Sequence, residues 1–209
     1  YILSCRAAKG DLPEKPVVVK TIVTTDLVAR IAEKYGCEVV EVLTGFKYIG
    51  EQIGLLEKAG HPERYIFGFE ESYGYLSGTY VRDKDGVVAS MLICEMAAYY
   101  RKQGKSLLQV LEDVYAEFGV FRHSLINAEF EGASGMAAMQ QLMTSLRENR
   151  PASIAGLKVV RFSDYQASEQ TDLLTGRTVH LDLPKSNVLS FGLEGGAGVI
   201  VRPSGTEPK

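Results

Sequence analysis

The sequence contains no CxxC pair, and its three cysteines, Cys5, Cys37 and Cys94, are scattered and odd in number. That argues against a disulfide framework and against a cysteine-bound zinc or dithiol redox centre, and it fits a chain kept in a reducing cytoplasm. Long apolar runs are missing as well. No stretch approaches the ~20 residues needed to cross a bilayer, and the opening "YILSCRAAKG" has neither the charged start nor the length of a secretory signal. An excess of one charge is also lacking: the formal net charge is only -3, so neither nucleic acid nor an anionic membrane is drawn to the surface as a whole. Any anion must therefore be held locally. Internal repeats and low-complexity segments are absent, and so is an initiator methionine. Because the chain opens on what reads as the tail of a helix, it is expected to be a piece of a longer protein.

What is present is a globular composition, 209 residues of which 45% are hydrophobic and 23% charged, long enough for two small domains. The first half alternates strand and helix signals. "PVVVKTIVTT" is a β-branched run, and "TTDLVARIAEKYG" supplies a threonine cap, apolar residues at Leu27, Val28, Ile31 and Ala32, and a glycine stop. "CEVVEVLT" with "KYIGEQIGLLEKAG", and "RYIFGFEE" with "DGVVASMLICEMAAYYRKQG", repeat that unit. A helix over "SLLQVLEDVYAEFG" closes this half. Three βα units in series predict a parallel or mixed sheet covered by helices, with ligands at the loops beyond the carboxyl ends of the strands.

From Val120 the pattern changes. "VFRHSLINAEFEG" reads as a strand, "SGMAAMQQLMTSLREN" as a helix with Met136, Met139, Leu142, Met143 and Leu146 on one stripe, and "GLKVVRFSDY", "NVLSFGL" and "GVIVR" as short strands. A small α+β domain with an antiparallel sheet follows, and the boundary is placed so that the domains are 1–119 and 120–209. "SDYQASEQTDLLTGRTVHLDLPKSN" is rich in turn residues and reads as a long surface loop.

Four loops have residue types suited to chemistry. In "LTGFKYIG", Thr44 offers a hydroxyl, Gly45 bare backbone and Lys47 a cation at a helix start, where the dipole favours anions; the same residues can make a plain turn. In "GFEESYGYLSG", the adjacent carboxylates Glu70 and Glu71, Ser72 and three tyrosines are an inventory for a polyhydroxylated ligand, or else an exposed acidic turn. In "YVRDKDG", Asp83 or Asp85 can cap the next helix while Lys84 stays available to a ligand. In "RPSGTEPK", Arg202 gives a fork for phosphate, Ser204 and Thr206 give hydroxyls, and Gly205 lets backbone amides approach an oxyanion, although a Pro and Gly turn accounts for the same string.

Several enzyme classes are set aside. Ser72 has no GxSxG elbow, and none of His61, His123 and His180 stands out as its base. The GxxxxGK[ST] spacing of a nucleotide loop is missing, and no GxGxxG follows a strand as a dinucleotide-binding dehydrogenase would require.

Taken in order, "TGFKYIGEQI", "GFEESYGYLSGTYVRDKDG" and "RPSGTEPK" make the whole chain resemble the α-D-phosphohexomutase superfamily, most closely its bacterial α-phosphoglucomutases. The resemblance implies that residues 1–119 are the family's third domain, the sugar-recognition domain lacking its first helix. It likewise implies that 120–209 are most of the fourth, phosphate-binding domain, with a TATA-box-binding-protein-like sheet. Glu70 and Ser72 match the GE-x-S loop that selects the sugar through its hydroxyls, with Phe69 where many members have glycine. Thr44 matches a ligand-contacting threonine, and Lys84 the lysine of an R-x-KDG stretch. Arg202, Ser204, Gly205 and Thr206 match the loop that holds the phosphate not being transferred.

The implied reaction moves a phosphoryl group between positions 1 and 6 of a hexose through a bisphosphate such as glucose 1,6-bisphosphate, with a phosphoserine as donor and Mg2+ beside it. The family's serine loop, of the type TASHNP, and metal loop, of the type DxDxDR, have no counterpart string here. The expectation is a substrate-recognition half, inactive alone, whose partners are a hexose phosphate and the remaining domains of the same polypeptide, not nucleic acid or membrane. A free-standing sugar-phosphate-binding or regulatory module is the alternative.

Overall fold

The computed structural model describes residues 1–130 and 132–203, so Ser204, Gly205 and Thr206 of the expected phosphate loop lie outside the described residues. The chain divides into two compact units, Tyr1–Ser124 and Leu125–Lys209.

In the first unit, helix α1 (Ile2–Lys9) leads to strand β1 (Val17–Thr21), all five of whose residues are buried. An unbroken β-branched run is what a strand covered on both faces requires. Next come α2 (Leu27–Lys34), β2 (Glu38–Val42), α3 (Phe46–Lys58), β3 (Tyr65–Glu70), β4 (Gly74–Leu76), α4 (Gly86–Lys102) and α5 (Leu107–Phe118). The sheet order is β2-β1-β3-β4; β1 runs parallel to β2 and β3, and β4 returns antiparallel on β3. The third βα unit is thus interrupted by a hairpin before its helix. Alternation along β1 builds three layers: Val17 and Val19 pack with Phe46, Ile49 and Ile53 of α3 on one face, while Val18 packs with Leu3 of α1 and Val28 of α2 on the other.

Helix starts follow their capping chemistry. Asp85 caps α4 by accepting from the Val87 and Val88 N–H groups, each at 2.9 Å, and Ser106 with Gln109 forms a capping box on α5. At α2 the N-cap is Asp26 rather than a threonine. Thr25 still accepts from the Leu27 N–H at 3.2 Å, and the Asp26 carboxylate goes instead to Lys20.

The second unit holds α6 (Gly132–Glu148), β5 (Ser153–Ile154), β6 (Leu157–Asp164), β7 (Glu169–Asp172), β8 (Thr178–His180), β9 (Leu189–Leu193) and β10 (Gly198–Val201). The main path is β10-β9-β6-β7-β8, with β5 pairing on β6, and every pairing is antiparallel. Met143 of α6 packs with Val159, Phe162, Leu189, Phe191 and Leu193, and Arg147 Nε donates to Asp164 Oδ2 at 3.0 Å, tying helix to sheet.

Three expectations are corrected here. The stretch beginning at Ser163 is not one long loop: it carries the β7–β8 hairpin, whose exposed, polar strands show no apolar alternation. Residues 120–130 form no strand, because no neighbouring strand pairs with them, and Val120, Leu125 and Ile126 stand exposed. On α6 the apolar stripe is only partly covered, with Met143 buried while Met136 and Leu142 are exposed. Among the described residues, no helix is long and apolar enough to cross a membrane.

Candidate functional site

Three of the four candidate loops belong to the first unit and converge at one rim of its sheet. The first follows β2. Gly45, with φ 127°, is the N-cap of α3 and supplies no side-chain cap. Beside it the Thr44 hydroxyl is buried and, among the described residues, has no hydrogen-bond partner. An orphaned buried hydroxyl costs about 1–3 kcal/mol unless something binds it, so this group has hydrogen-bonding capacity to spare.

The second loop joins β3 to β4. Glu70 pairs with Gly74 across the hairpin, leaving Glu71, Ser72 and Tyr73 as a three-residue connection. Glu70 is 8% exposed, whereas Ser72 is exposed and Tyr73, at φ 62°, is 86% exposed. Gly74 has no room for a side chain: a Cβ there would lie 2.6 Å from Glu70 Oε1, 2.7 Å from Glu70 Cγ and 2.9 Å from Lys84 Cδ. The absence of a side chain at position 74 is therefore what lets Glu70 and Lys84 both close on this turn.

The third loop leads into α4 and is stitched down from two sides. Gly50 on α3 admits the Arg82 carbonyl against its backbone, Arg82 Nη2 donates to Glu57 Oε2 at 2.5 Å, and the Asp85 N–H donates to the Tyr75 carbonyl at 2.9 Å. Lys84 is thereby held with its ammonium 5.1 Å from the centre of the Phe46 ring and 3.0 Å from Asp83 Oδ1. The Lys84 backbone N–H and then its ammonium hold the Asp83 carboxyl below its ordinary value. Asp85 is lowered too, first by the Tyr80 hydroxyl and then by the backbone N–H groups it caps. Both carboxylates stay ionised at neutral pH, and Lys84, half exposed, keeps donors to spare.

So Thr44, Glu70, Ser72 and Lys84 lie on three loops at the same end of the sheet, with Glu70 and Lys84 meeting at Gly74 and Ser72 exposed beside them. Lys47, by contrast, is exposed, its ammonium 4.8 Å from the centre of the Tyr48 ring. In the second unit Arg202 follows β10 and is exposed. A shallow cavity of ≈ 510 Å³ lies elsewhere, at the α4–α5 turn by Arg101, Lys105 and Gln109.

The sequence reading missed a polar group behind the second loop. Lys20, 1% exposed on β1, donates to the Thr24 carbonyl at 3.1 Å and pairs with Asp26 at 2.9 Å and Glu41 at 2.5 Å. Thr21 and Thr24 meet each other and Glu71. The available signal was a lysine and three threonines interrupting an apolar run, followed by an aspartate, in "VVVKTIVTTD".

Residues 1–118 match the family model described as phosphoglucomutase/phosphomannomutase, alpha/beta/alpha domain III. Among curated proteins, a phosphoglucomutase of Staphylococcus epidermidis is 38% identical over 199 residues, covering 95% of this chain and 35% of that protein. A phosphoglucomutase of Staphylococcus aureus is 39% identical over 193 residues, covering 92% and 34%. The chain thus spans about a third of the length of the curated relatives it matches. Among solved structures, the exocytosis-sensitive phosphoprotein pp63/parafusin of Paramecium, a phosphoglucomutase in its open form, superposes with a TM-score of 0.62 at 21% identity. That match covers 98% of this chain and 34% of that one, and it supports the fold.

Proposed function

The chain belongs to the phosphoglucomutase/phosphomannomutase family, and from that premise we propose that it is the substrate-recognition part of an enzyme interconverting hexose 1-phosphate and hexose 6-phosphate through a hexose bisphosphate. The observation that supports this reading is that a Thr44 hydroxyl with no partner among the described residues, Glu70 and Lys84 lie on three loops at one end of the sheet, with Glu70 and Lys84 both against Gly74 and Lys84 over the Phe46 ring.

Each residue then has a role. Glu70 accepts from a ring hydroxyl, in a buried setting where such a bond is stronger than in water. The Thr44 hydroxyl donates to a second substrate oxygen, and Ser72 bonds a neighbouring hydroxyl. Lys84 places positive charge beside the bound phosphosugar. In the second unit, Arg202 with Ser204, Gly205 and Thr206 takes a phosphate, Arg202 supplying the bidentate fork.

Transfer itself needs a phosphoserine, which gives its phosphoryl group to the free hydroxyl of the monophosphate and takes back the other phosphoryl of the bisphosphate. We assign that serine to polypeptide outside this chain. A bound Mg2+ would neutralise the charge that moves. Among the described residues no group of three or more His, Cys, Asp or Glu side chains could hold a metal ion. The unpaired Cys5, Cys37 and Cys94 suit a cytoplasmic enzyme.

The test is a pair of assays on the purified chain. With Mg2+, glucose 1,6-bisphosphate and glucose 1-phosphate, no conversion to glucose 6-phosphate is expected, while glucose 1-phosphate alone perturbs the amides of Thr44, Glu70, Ser72 and Lys84. Robust conversion, or binding that leaves these amides untouched, would overturn the assignment.

A further inference from the structure

Glu71 lies in sequence between the two residues assigned to the sugar and is itself exposed, yet one oxygen of its carboxylate reaches back to the turn after β1. Oε2 accepts from Thr21 Oγ1 at 3.1 Å and from Thr24 Oγ1 at 3.3 Å, and the two hydroxyls are themselves 2.7 Å apart. Two hydroxyl protons serve three contacts. In every arrangement that uses both protons within this triangle, at least one points at the Glu71 carboxylate.

Both threonines are buried, and the turn that carries them is held from behind. The Lys20 ammonium, itself buried, reaches the Thr24 carbonyl, Asp26 and Glu41. Its desolvation is offset by two carboxylates and a backbone carbonyl. The β1–α2 turn is therefore a rigid post, and Glu71 is fastened to it.

The loop that Glu71 fastens is a poor candidate to hold its own shape. Its last residue, Tyr73, sits at φ 62° with 86% of its surface exposed, and a non-glycine residue in the left-handed region carries a local cost. Glu70 and Glu71 are also adjacent like charges, which spread apart when one of them is tied elsewhere.

We propose that Glu71 is a positioning residue: its anchorage to Thr21 and Thr24 fixes the hairpin tip so that Glu70 and Ser72 meet the sugar hydroxyls in one geometry. This deepens the sugar-recognition reading and rests on it, since that reading gives Glu70 and Ser72 their ligand.

The experiment measures amide order parameters and glucose 1-phosphate affinity on the 209-residue chain and its variants. In the ligand-free wild type, Glu70 to Gly74 are as ordered as β3. Glu71→Leu and Thr24→Val lose order there and bind glucose 1-phosphate about tenfold more weakly, while Thr24→Ser, which keeps the hydroxyl, restores both. Glu71→Gln, which keeps one accepting oxygen, covers the case in which the leucine variant does not fold, and retains most of the order. Wild-type loop order in Thr24→Val and Glu71→Leu, or lost order with unchanged affinity, overturns the proposal. A wild-type chain that takes no glucose 1-phosphate overturns the sugar-recognition reading instead, and the ligand-free order parameters still decide whether Glu71 anchors the tip.

Discussion

Glu70 and Lys84 close on Gly74 from two sides, the carboxylate oxygen 2.6 Å and the lysine Cδ 2.9 Å from where a Cβ on that glycine would lie. The lysine arm can swing away at little cost, but the buried Glu70 cannot. Gly74→Ala should therefore displace Glu70, cost about 1–3 kcal/mol of stability as an overpacked contact, and weaken sugar-phosphate binding. Thermal melts and a glucose 1-phosphate titration check this; a variant with wild-type Tm and affinity would show that the Glu70–Gly74–Lys84 contact is slack.

Thr44 offers a test with opposite signs in two assays. Among the described residues its buried hydroxyl has no hydrogen-bond partner, so Thr44→Val removes a desolvated polar group without changing shape. The free chain should gain about 1 kcal/mol of stability, while affinity for glucose 1-phosphate falls. A loss of stability, or unchanged affinity, would mean that the hydroxyl serves the fold rather than a ligand.

Stability at low pH should report the Asp85 cap. The Tyr80 hydroxyl and the α4 N–H groups hold its carboxyl below the ordinary value of 3.8. A lowered carboxyl contributes stability above the unfolded value and loses it as pH falls through the folded one. Tm of the wild type should thus drop below pH 3.8, and Asp85→Ala, lower at neutral pH, should fall less steeply there. Parallel curves for the two proteins would contradict the assignment.

Much of the candidate site could be read from the sequence because its residues sit near glycines in the loops that follow strands. Thr44, Glu70 and Lys84 each follow or face such a break, and Asp85 carries the signature of a cap ahead of an apolar helix. The Lys20 group was not legible in the same way. A lysine inside a β-branched run looks like strand, and of its partners Asp26 comes from the helix start after the β1 turn, while Glu41 is brought alongside by the parallel pairing of β1 with β2. The β7–β8 hairpin was lost because strands such as Glu169–Asp172 are polar throughout. Residues 120–130 erred the other way: apolar alternation is present, but a strand exists only where a partner supplies the ladder, and none does.

In the second unit, Arg202 is the fixed charge of its loop, so inorganic phosphate should shift amides next to it and Arg202→Ala should abolish the response. An NMR titration of both proteins checks this, and an unchanged response in the variant would reduce the loop to a turn.

The central claim is that the loops carrying Thr44, Glu70 and Lys84 bind the sugar of a hexose phosphate. The most direct measurement is an amide NMR titration with glucose 1-phosphate, set against inorganic phosphate, on wild type and Glu70→Ala. The account predicts millimolar binding, about -4 kcal/mol, with shifts at Thr44, Glu70, Ser72 and Lys84 that phosphate alone does not produce. In Glu70→Ala that binding should weaken by one to two decades, the equivalent of roughly 1.5–3 kcal/mol for a hydrogen bond to a charged group. Equal binding by wild type and Glu70→Ala, or sugar-dependent shifts that avoid these three loops, would contradict it.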